Sequence, residues 1–310
     1  MFNQFDGYSD NEREPGREPE FPGLTKWENK CSCCCFQLDK ITTNNVTYIN
    51  GWEIKLCPVT LIIFLSILSI STYIFMFRPR LLISKTFCDV VFFIFEFLFV
   101  YSYLITICEG PGFLPFYYPL QIGNSDNKFT DYLSGTVSTF SQAEYVKSQP
   151  KLRRTRYFSS VKRYVVRPDH YCYWTQQFIG KKNMKTFMLF NVYGIIFVTI
   201  NFLLALFHLV FLVLESKFTV FDALYMMSYM VVSCFLIGLT GTFAYKSIKN
   251  INSNITHFEK IHPEDYSFYE EECCKNWADV FGPRSQFLYW PMPIPAFHNV
   301  DTRELAAIYL

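Results

Sequence analysis

Four long apolar stretches constrain the fold of this chain more than any other feature of its sequence. Each reaches the roughly 20 residues that a helix needs to cross the hydrocarbon core of a bilayer. Hydrophobic residues make up 51% of the chain and charged residues only 18%, less charge than ordinary soluble domains carry. We therefore predict an all-α membrane protein with four transmembrane helices. The stretches cover residues 57–77, 87–108, 186–214 and 222–245.

The distribution of basic residues predicts the orientation of these helices. Six Lys and Arg precede the first stretch, twelve lie between the second and third, and six follow the fourth, whereas the two short connections hold four. Because basic residues favour the cytosolic side, both termini and the central segment are expected in the cytosol. The alternative, four buried helices of a large soluble core, is disfavoured because such runs rarely occur without a membrane. A net charge of +1 argues against a nucleic-acid partner.

The polar segments divide the chain into five predicted parts. Residues 1–50 are predicted to be a disordered cytosolic tail with a cysteine cluster, since the first 30 are rich in Glu, Pro, Gly and Asn. The cluster Cys31–Cys35 suits either S-acylation or inert free thiols. The other parts are transmembrane helices 1 and 2 (51–108), a cytosolic domain (109–185), transmembrane helices 3 and 4 (186–245) and a cytosolic C-terminal region (246–310).

Asp89, Glu96 and His208 are ionisable residues inside the apolar stretches. Asp89 is close enough to the end of the second stretch to be interfacial, whereas Glu96 is central and is expected to face the bundle interior. Glu96 suits a functional role or a packing role. His208 is interpreted as a helix-packing residue with one hydrogen bond.

The central segment carries the residues with the clearest chemistry. Asp169, His170 and Cys172 bring a carboxylate, an imidazole and a thiol within four residues. A neighbouring imidazole can generate the reactive thiolate, and a carboxylate can orient that imidazole. Cys172 also lies about 14 residues before the third stretch, where lipid chains and water-soluble cofactors are both within reach.

These residues resemble the signature of the DHHC protein S-acyltransferases, in a D-H-Y-C variant. The resemblance covers most of the chain after about residue 50. Members of the family have four spans with a cytosolic cysteine-rich domain between the second and third, which is the layout predicted for this chain. Further motifs occur in the family's order around the four stretches. They are Pro111-Gly112, Trp174, Gly180, Asn183, Phe187, Thr256-His257-Phe258-Glu259, and Asn276 to Gly282 followed by Trp290-Pro291.

The sequence departs from the family at its two zinc sites. Counted from Asp169, the eight ligand positions hold none of the family's ligand types, so a degenerate cysteine-rich domain is expected. We predict that zinc and other cofactors are absent and that a small aromatic core takes over the scaffolding role of the metal. The eight positions are Glu144, Lys147, Tyr157, Phe158, Val161, Tyr164, Tyr171 and Phe178.

The resemblance implies a protein-cysteine S-palmitoyltransferase. Cys172 would take a long-chain acyl group from acyl-CoA, with His170 as base and Asp169 as its orienting partner, and pass it to cysteines of client proteins. Lys181, Lys182, Lys185 and Trp174 are predicted to contact acyl-CoA, although the three lysines also fit an ordinary positively charged flank of a membrane helix.

Three other functions were weighed against this one. The main alternative is an inactive family-like membrane adaptor that binds acyl-CoA or client proteins, which the loss of zinc ligands favours. A transporter or channel has no supporting internal repeat, and a thiol oxidoreductase would need a C-x-x-C pair. The expected location is an endomembrane (endoplasmic reticulum or Golgi) or the plasma membrane, in contact with membrane lipids and with the active site in the cytosol.

Overall fold

The computed structural model describes residues 30–33, 36–43, 46–49, 52–53, 56–82, 84–114, 154–158, 163–216, 219–263, 272–300 and 302–308. Within these residues, four helices are long and apolar enough to cross a membrane. Strands are short by comparison, so the predicted fold class is confirmed. The four helices are α1 (Leu56–Thr72), α2 (Lys85–Glu109), α3 (Met184–Leu214) and α4 (Val220–Asn252).

The boundaries of the spans differ from the sequence prediction mainly at two ends. Helix α1 continues through a π-helical turn, Tyr73–Phe77, and a 3-10 turn, Arg78–Arg80. Helix α4 extends seven residues beyond the predicted Tyr245, to Asn252. This extension is polar, so hydropathy alone does not detect it, and it carries the end of α4 to the segment that contains Asp169.

The N-terminal region corrects one prediction. Residues 1–29, together with Cys34 and Cys35, lie outside the described residues, but the disordered tail predicted to residue 50 is wrong for Lys30–Ile49. The backbone there forms antiparallel strands that continue to Glu53. The strands are β1 (Lys30–Cys33), β2 (Phe36–Thr43), β3 (Val46–Ile49) and β4 (Trp52–Glu53).

Two small hairpins form the described part of the central segment. Strand β5 (Thr155–Phe158) pairs with β6 (Arg163–Val166), and β7 (His170–Cys172) pairs with β8 (Gln177–Ile179), both antiparallel. The D-H-Y-C sequence therefore runs into strand β7 of the second hairpin, and β8 leads directly into α3. Three of the mapped zinc positions, Glu144, Lys147 and Val161, lie outside the described residues.

Aromatic packing joins the membrane helices. The ring of Phe99 on α2 stacks on two rings of α3, with centroid distances of 5.2 Å to Phe190 and 5.7 Å to Phe197. A Cβ at Gly194 would lie 3.2 Å from Thr240 Cγ2 on α4 and 3.3 Å from Phe99, so this glycine permits the close approach of three helices. The core of the bundle is thus centred on α3.

The ionisable residues of the spans lie as the sequence predicts. Asp89, near the start of α2, accepts hydrogen bonds from Arg78 at 2.9 Å and from the Tyr73 hydroxyl at 2.7 Å. Glu96 is 6% exposed and faces the bundle interior. His208 is buried and packs edge-on against Phe77 at 5.6 Å. Neither of its ring nitrogens has a hydrogen-bond partner among the described residues, so the hydrogen bond expected for this residue is not seen there.

The C-terminal region adds short helices to the cytosolic end predicted for the bundle. Helix α5 (His257–Ile261) begins with a complete capping box, and α6 (Cys273–Phe281) is followed by a 3-10 turn, Arg284–Tyr289, and by α7 (Thr302–Ala307). The Lys185 ammonium donates to the carbonyl of Tyr289 at 3.0 Å, which ties this region to the first turn of α3.

Candidate active site

The β7–β8 hairpin is fixed to the membrane helices by Gly180 and Asn183. The Asn183 side chain accepts from the Gly180 amide at 2.8 Å and donates to the Phe178 carbonyl at 3.0 Å. A Cβ at Gly180 would lie only 2.6 Å from the Pro111 carbonyl oxygen, so no other residue fits without displacing the backbone. These contacts set the hairpin against the end of α2 and the start of α3.

The structure brings Asp169 and His170 into direct contact. Asp169 Oδ2 lies 2.8 Å from His170 Nδ1, and the carboxylate is 5% exposed. Its other oxygen, Oδ1, accepts from the Asn250 side-chain amide at 3.0 Å and from the backbone amide of His257 at 2.8 Å. A carboxylate held in this way fixes the orientation of the imidazole.

Aromatic rings on two membrane helices enclose the imidazole. The Phe187 ring of α3 lies 5.2 Å from the His170 ring in an edge arrangement, and the Phe243 ring of α4 stacks at 6.3 Å. His170 Nε2 is buried and has no partner of strict hydrogen-bond geometry among the described residues. This nitrogen is therefore available for proton exchange.

Cys172 is 3% exposed and belongs to the same hydrophobic cluster as Tyr103 and Phe187. Its contact with His170 is looser than a strict hydrogen bond, but the two groups lie close enough to shift each other's pKa. Loose contacts of this kind are common in catalytic sites without substrate. The thiol thus lies where the hairpin meets the apolar interior of the bundle.

The electrostatics favour a thiolate–imidazolium pair. Burial alone would raise the pKa of the Cys172 thiol, but interaction with His170 and Thr175 lowers it below the ordinary value. Burial alone would lower the pKa of His170, but Asp169 and Cys172 raise it. A thiolate is the nucleophilic form of cysteine, so the arrangement can perform nucleophilic thiol chemistry near neutral pH.

A second, charged network supports the site through helix α5. Arg154 donates to both carboxylate oxygens of Glu259, at 2.7 and 3.0 Å, and to the Asn254 side chain at 2.9 Å. Glu259 also accepts from the backbone amide of Thr256 at 2.8 Å, completing the capping box of α5. The network fixes the start of α5, whose first amide donates to Asp169.

The lysines predicted to contact acyl-CoA have protein partners. Lys181, with 1% of its side chain exposed, forms an ion pair with Asp279 and donates to the Asp279 carbonyl at 2.6 Å. Lys182 donates to the carbonyl of His298 at 3.3 Å, and Lys185 to that of Tyr289. The structure therefore does not bring the three ammonium groups together at one phosphate site; they tie the C-terminal region to the bundle.

Trp174, predicted with these lysines, lies in the turn between β7 and β8. Its carbonyl accepts from the Tyr103 hydroxyl at 2.9 Å, and its ring is partly buried against the hydrophobic core. Trp174 follows Cys172 by two positions and packs against the hydrophobic cluster that contains this thiol.

Sequence reasoning missed Asn250, Arg154 and Asp279. Asp279 pairs with both Lys181 and Arg167; burial would raise its pKa, but these two cations lower it to about 2. Asp279 lies within the family-like stretch from Asn276 to Gly282, but no local pattern indicates that Asp279 or Arg154 has a partner about 100 residues away. No feature of the sequence indicated that Asn250 belongs to the site.

The mapped zinc positions do not fit the metal. Zinc needs converging thiolate, imidazole or carboxylate ligands, and the five described positions supply phenyl and phenol side chains. Two of them, Phe158 and Phe178, pack ring to ring with centroids 4.4 Å apart. Within the described part of the chain, no group of three or more His, Cys, Asp or Glu residues is placed to hold a metal ion.

Comparison with known families agrees with the geometry. Residues 138–264 match a family model described as DHHC palmitoyltransferase. This region contains the D-H-Y-C segment, α3, α4 and the capping box. The match thus covers the site and the two helices that enclose it.

Curated relatives match as well. The chain is 24% identical over 234 residues to "Probable protein S-acyltransferase 12" of Arabidopsis thaliana, covering 68% of this chain and 75% of that protein. It is 22% identical over 197 residues to "Palmitoyltransferase ZDHHC3-A" of Danio rerio, covering 60% and 59%. It is 30% identical over 111 residues to "Palmitoyltransferase pfa3" of Aspergillus fumigatus, covering 33% of this chain but only 19% of the fungal protein.

Proposed function

This chain belongs to the DHHC palmitoyltransferase family of integral membrane proteins, and we propose that it is an active protein S-acyltransferase with Cys172 as its nucleophile. The observation that carries the proposal is the contact of Asp169 Oδ2 with His170 Nδ1 at 2.8 Å, beside a thiol buried at the end of the bundle. An orienting acid, a base and a nucleophile are thus assembled as covalent catalysis requires.

The reaction has two steps. In the first, the Cys172 thiolate attacks the carbonyl carbon of a long-chain acyl-CoA thioester; the bond to the CoA sulfur breaks, and the departing thiolate takes a proton from the His170 imidazolium. In the second, His170 removes the proton of a client cysteine, whose sulfur attacks the acyl-Cys172 thioester and releases the Cys172 thiolate. Asp169 holds the imidazole and stabilises its cation throughout.

The surroundings of Cys172 support an acyl chain as the group transferred. The thiol is part of the hydrophobic cluster that includes Tyr103, Phe187 and Phe190, so an acyl group on this sulfur would be next to apolar side chains of α2 and α3. The three lysines are engaged elsewhere, which weakens the predicted phosphate contacts, whereas Trp174 stays a candidate contact for acyl-CoA.

The proposed clients are proteins with cysteines near the cytosolic face of the membrane. The excess of Lys and Arg outside the two short connections supports this orientation. Epitopes at the two termini should be accessible to antibodies after selective permeabilisation of the plasma membrane. Protection of both epitopes would contradict the orientation.

Labelling with acyl-CoA tests the proposed activity. The purified chain, incubated with a labelled long-chain acyl-CoA, should acquire a thioester-linked label that Cys172→Ser loses. Cys234→Ser is the matched control, because this exposed thiol on α4 is remote from the proposed chemistry. Absence of label on the wild-type chain, with retained acyl-CoA binding, would instead support the inactive adaptor.

A further inference from the structure

Five of the eight positions that carry zinc ligands in the family are described, and their rings pair with one another. Tyr157 and Tyr164 are directly opposite across β5 and β6, with ring centroids 5.4 Å apart. Tyr171 and Phe178 are directly opposite across β7 and β8, at 5.2 Å. Cross-strand aromatic pairs stabilise two-stranded hairpins. Each hairpin is thus joined by a ring pair at positions where the family uses metal ligands.

The fifth position connects the two hairpins. The ring of Phe158 on β5 lies 4.4 Å from that of Phe178 on β8. On its other side it packs edge-on against Phe258 of α5, at 5.3 Å. We call these four residues, Tyr171, Phe178, Phe158 and Phe258, the aromatic cluster.

The aromatic cluster also reaches the catalytic aspartate. The backbone amide of Phe258 donates to the Asp169 carbonyl at 3.0 Å. The preceding amide, that of His257, donates to Asp169 Oδ1 at 2.8 Å. The Arg156 guanidinium lies 4.6 Å from the centre of the Phe258 ring and covers it. A shift of that ring would therefore displace two donors that hold Asp169.

We propose that the aromatic cluster replaces zinc as the scaffold of this domain and that Phe158 and Phe178 act as positioning residues for Asp169 and His170. Ring contacts and strand register support this role without any acyl transfer, so the role goes beyond the proposed function. Zinc sites hold a domain by coordination that a chelator removes, whereas ring packing is unaffected by a chelator.

Metal content gives the first test. The full chain, purified in detergent, is subjected to elemental analysis and to thermal unfolding before and after EDTA treatment. We expect no stoichiometric zinc and an unchanged unfolding temperature. About two zinc ions per chain, or an unfolding temperature that falls after EDTA, would overturn the proposal.

Substitutions at Phe178 give the second test. Phe178→Leu keeps an apolar side chain but removes the ring, and we expect amide hydrogen exchange of residues 155–179 to be roughly 3- to 10-fold faster. Autoacylation, if present, should fall by a similar factor. Phe178→Tyr keeps the ring, so its exchange rates and its autoacylation should stay close to those of the wild-type chain. Phe287→Leu is the control, since this ring is 61% exposed.

The exchange measurement does not depend on activity. If the wild-type chain transfers no acyl group, the proposed function fails while the exchange rates still test the scaffold. Equal exchange in Phe178→Leu and the wild-type chain would contradict the scaffold, whatever the activity.

Discussion

The side-chain amide of Asn250 donates to Asp169 Oδ1 across 3.0 Å, so the last turn of the fourth membrane helix holds the carboxylate that contacts the His170 imidazole. Asn250 in turn accepts from the Lys260 ammonium at 2.6 Å. The orientation of His170 therefore depends on a helix that contributes no member of the D-H-Y-C sequence.

Replacing Asn250 with Leu should lower the rate of autoacylation by about tenfold or more, because a hydrogen bond to a charged group is worth about 1.5–3 kcal/mol. Without this donor the pKa of Asp169 should rise, so the activity should be lost at a higher pH on acidification. Initial rates across the acidic limb of the pH profile measure both effects. Ser253→Ala, an exposed position one turn further on, is the control. An unchanged profile for Asn250→Leu would contradict this role.

The pH dependence of the wild-type chain follows from the coupled pair. The thiolate–imidazolium form exists above the pKa of Cys172, which is lowered, and below the pKa of His170, which is raised. The rate of the first acylation step should therefore reach its plateau at a pH below ~8.5, the ordinary thiol value, and keep it up to about pH 10, the raised pKa of His170. Autoacylation reactions quenched at fixed times across this pH range measure the rate of this step.

Replacement of His170 with Ala should remove this plateau. The rate at neutral pH should fall by roughly 10²- to 10⁴-fold, the usual contribution of a general base, and should rise with pH as the unassisted thiol ionises. A His170→Ala chain that retains the wild-type pH profile would show that the imidazole takes no part.

The Asp279 carboxylate should be needed for stability. Asp279→Asn removes a counter-charge from the buried cations of Lys181 and Arg167, which should cost about 3 kcal/mol in the free energy of unfolding. Thermal unfolding in detergent measures the loss. Glu272→Gln is the matched control, since its side chain is 74% exposed and lies 3.9 Å from Arg284; its effect should be within about 0.5 kcal/mol.

The same carboxylate predicts a pH dependence of stability. The folded-state pKa of Asp279 is about 2, below the value of ~3.9 expected in an unfolded chain. Its contribution should thus be fully present above pH ~4 and be lost as the pH falls towards 2. Asp279→Asn should remove this part of the acid sensitivity. An equal acid sensitivity of variant and wild type would contradict the assignment.

Alanine at position 180 should destabilise the hairpin. Its Cβ would lie 2.6 Å from the carbonyl oxygen of Pro111, so the backbone must move, at a cost of about 1–3 kcal/mol. Gly238→Ala is the control, because nothing lies within 4 Å of a Cβ at that helical position. Thermal unfolding and autoacylation should both decline for Gly180→Ala and stay unchanged for Gly238→Ala.

The sequence by itself determined the four helices, the resemblance to the DHHC family and the grouping of Asp169, His170 and Cys172. Hydropathy is a property of each residue summed over a window, and Asp169, His170 and Cys172 lie within four positions, so neither feature depends on the tertiary structure. The sequence also showed that aromatic residues occupy most of the positions of the zinc ligands. It did not show that the rings of these residues pair with one another.

Only the tertiary structure decided which groups hold that site. Asn250 lies 81 positions from Asp169, and Arg154 lies 105 from Glu259; such partners are brought together by helix packing, which no local pattern encodes. The partners of the three lysines around the start of α3 could not be predicted from the sequence either. Their charge was visible in the sequence, but the carboxylate and carbonyl groups that engage them come from the C-terminal region. The physical reason is that a side chain's charge is local, whereas its partner depends on the packing of distant segments.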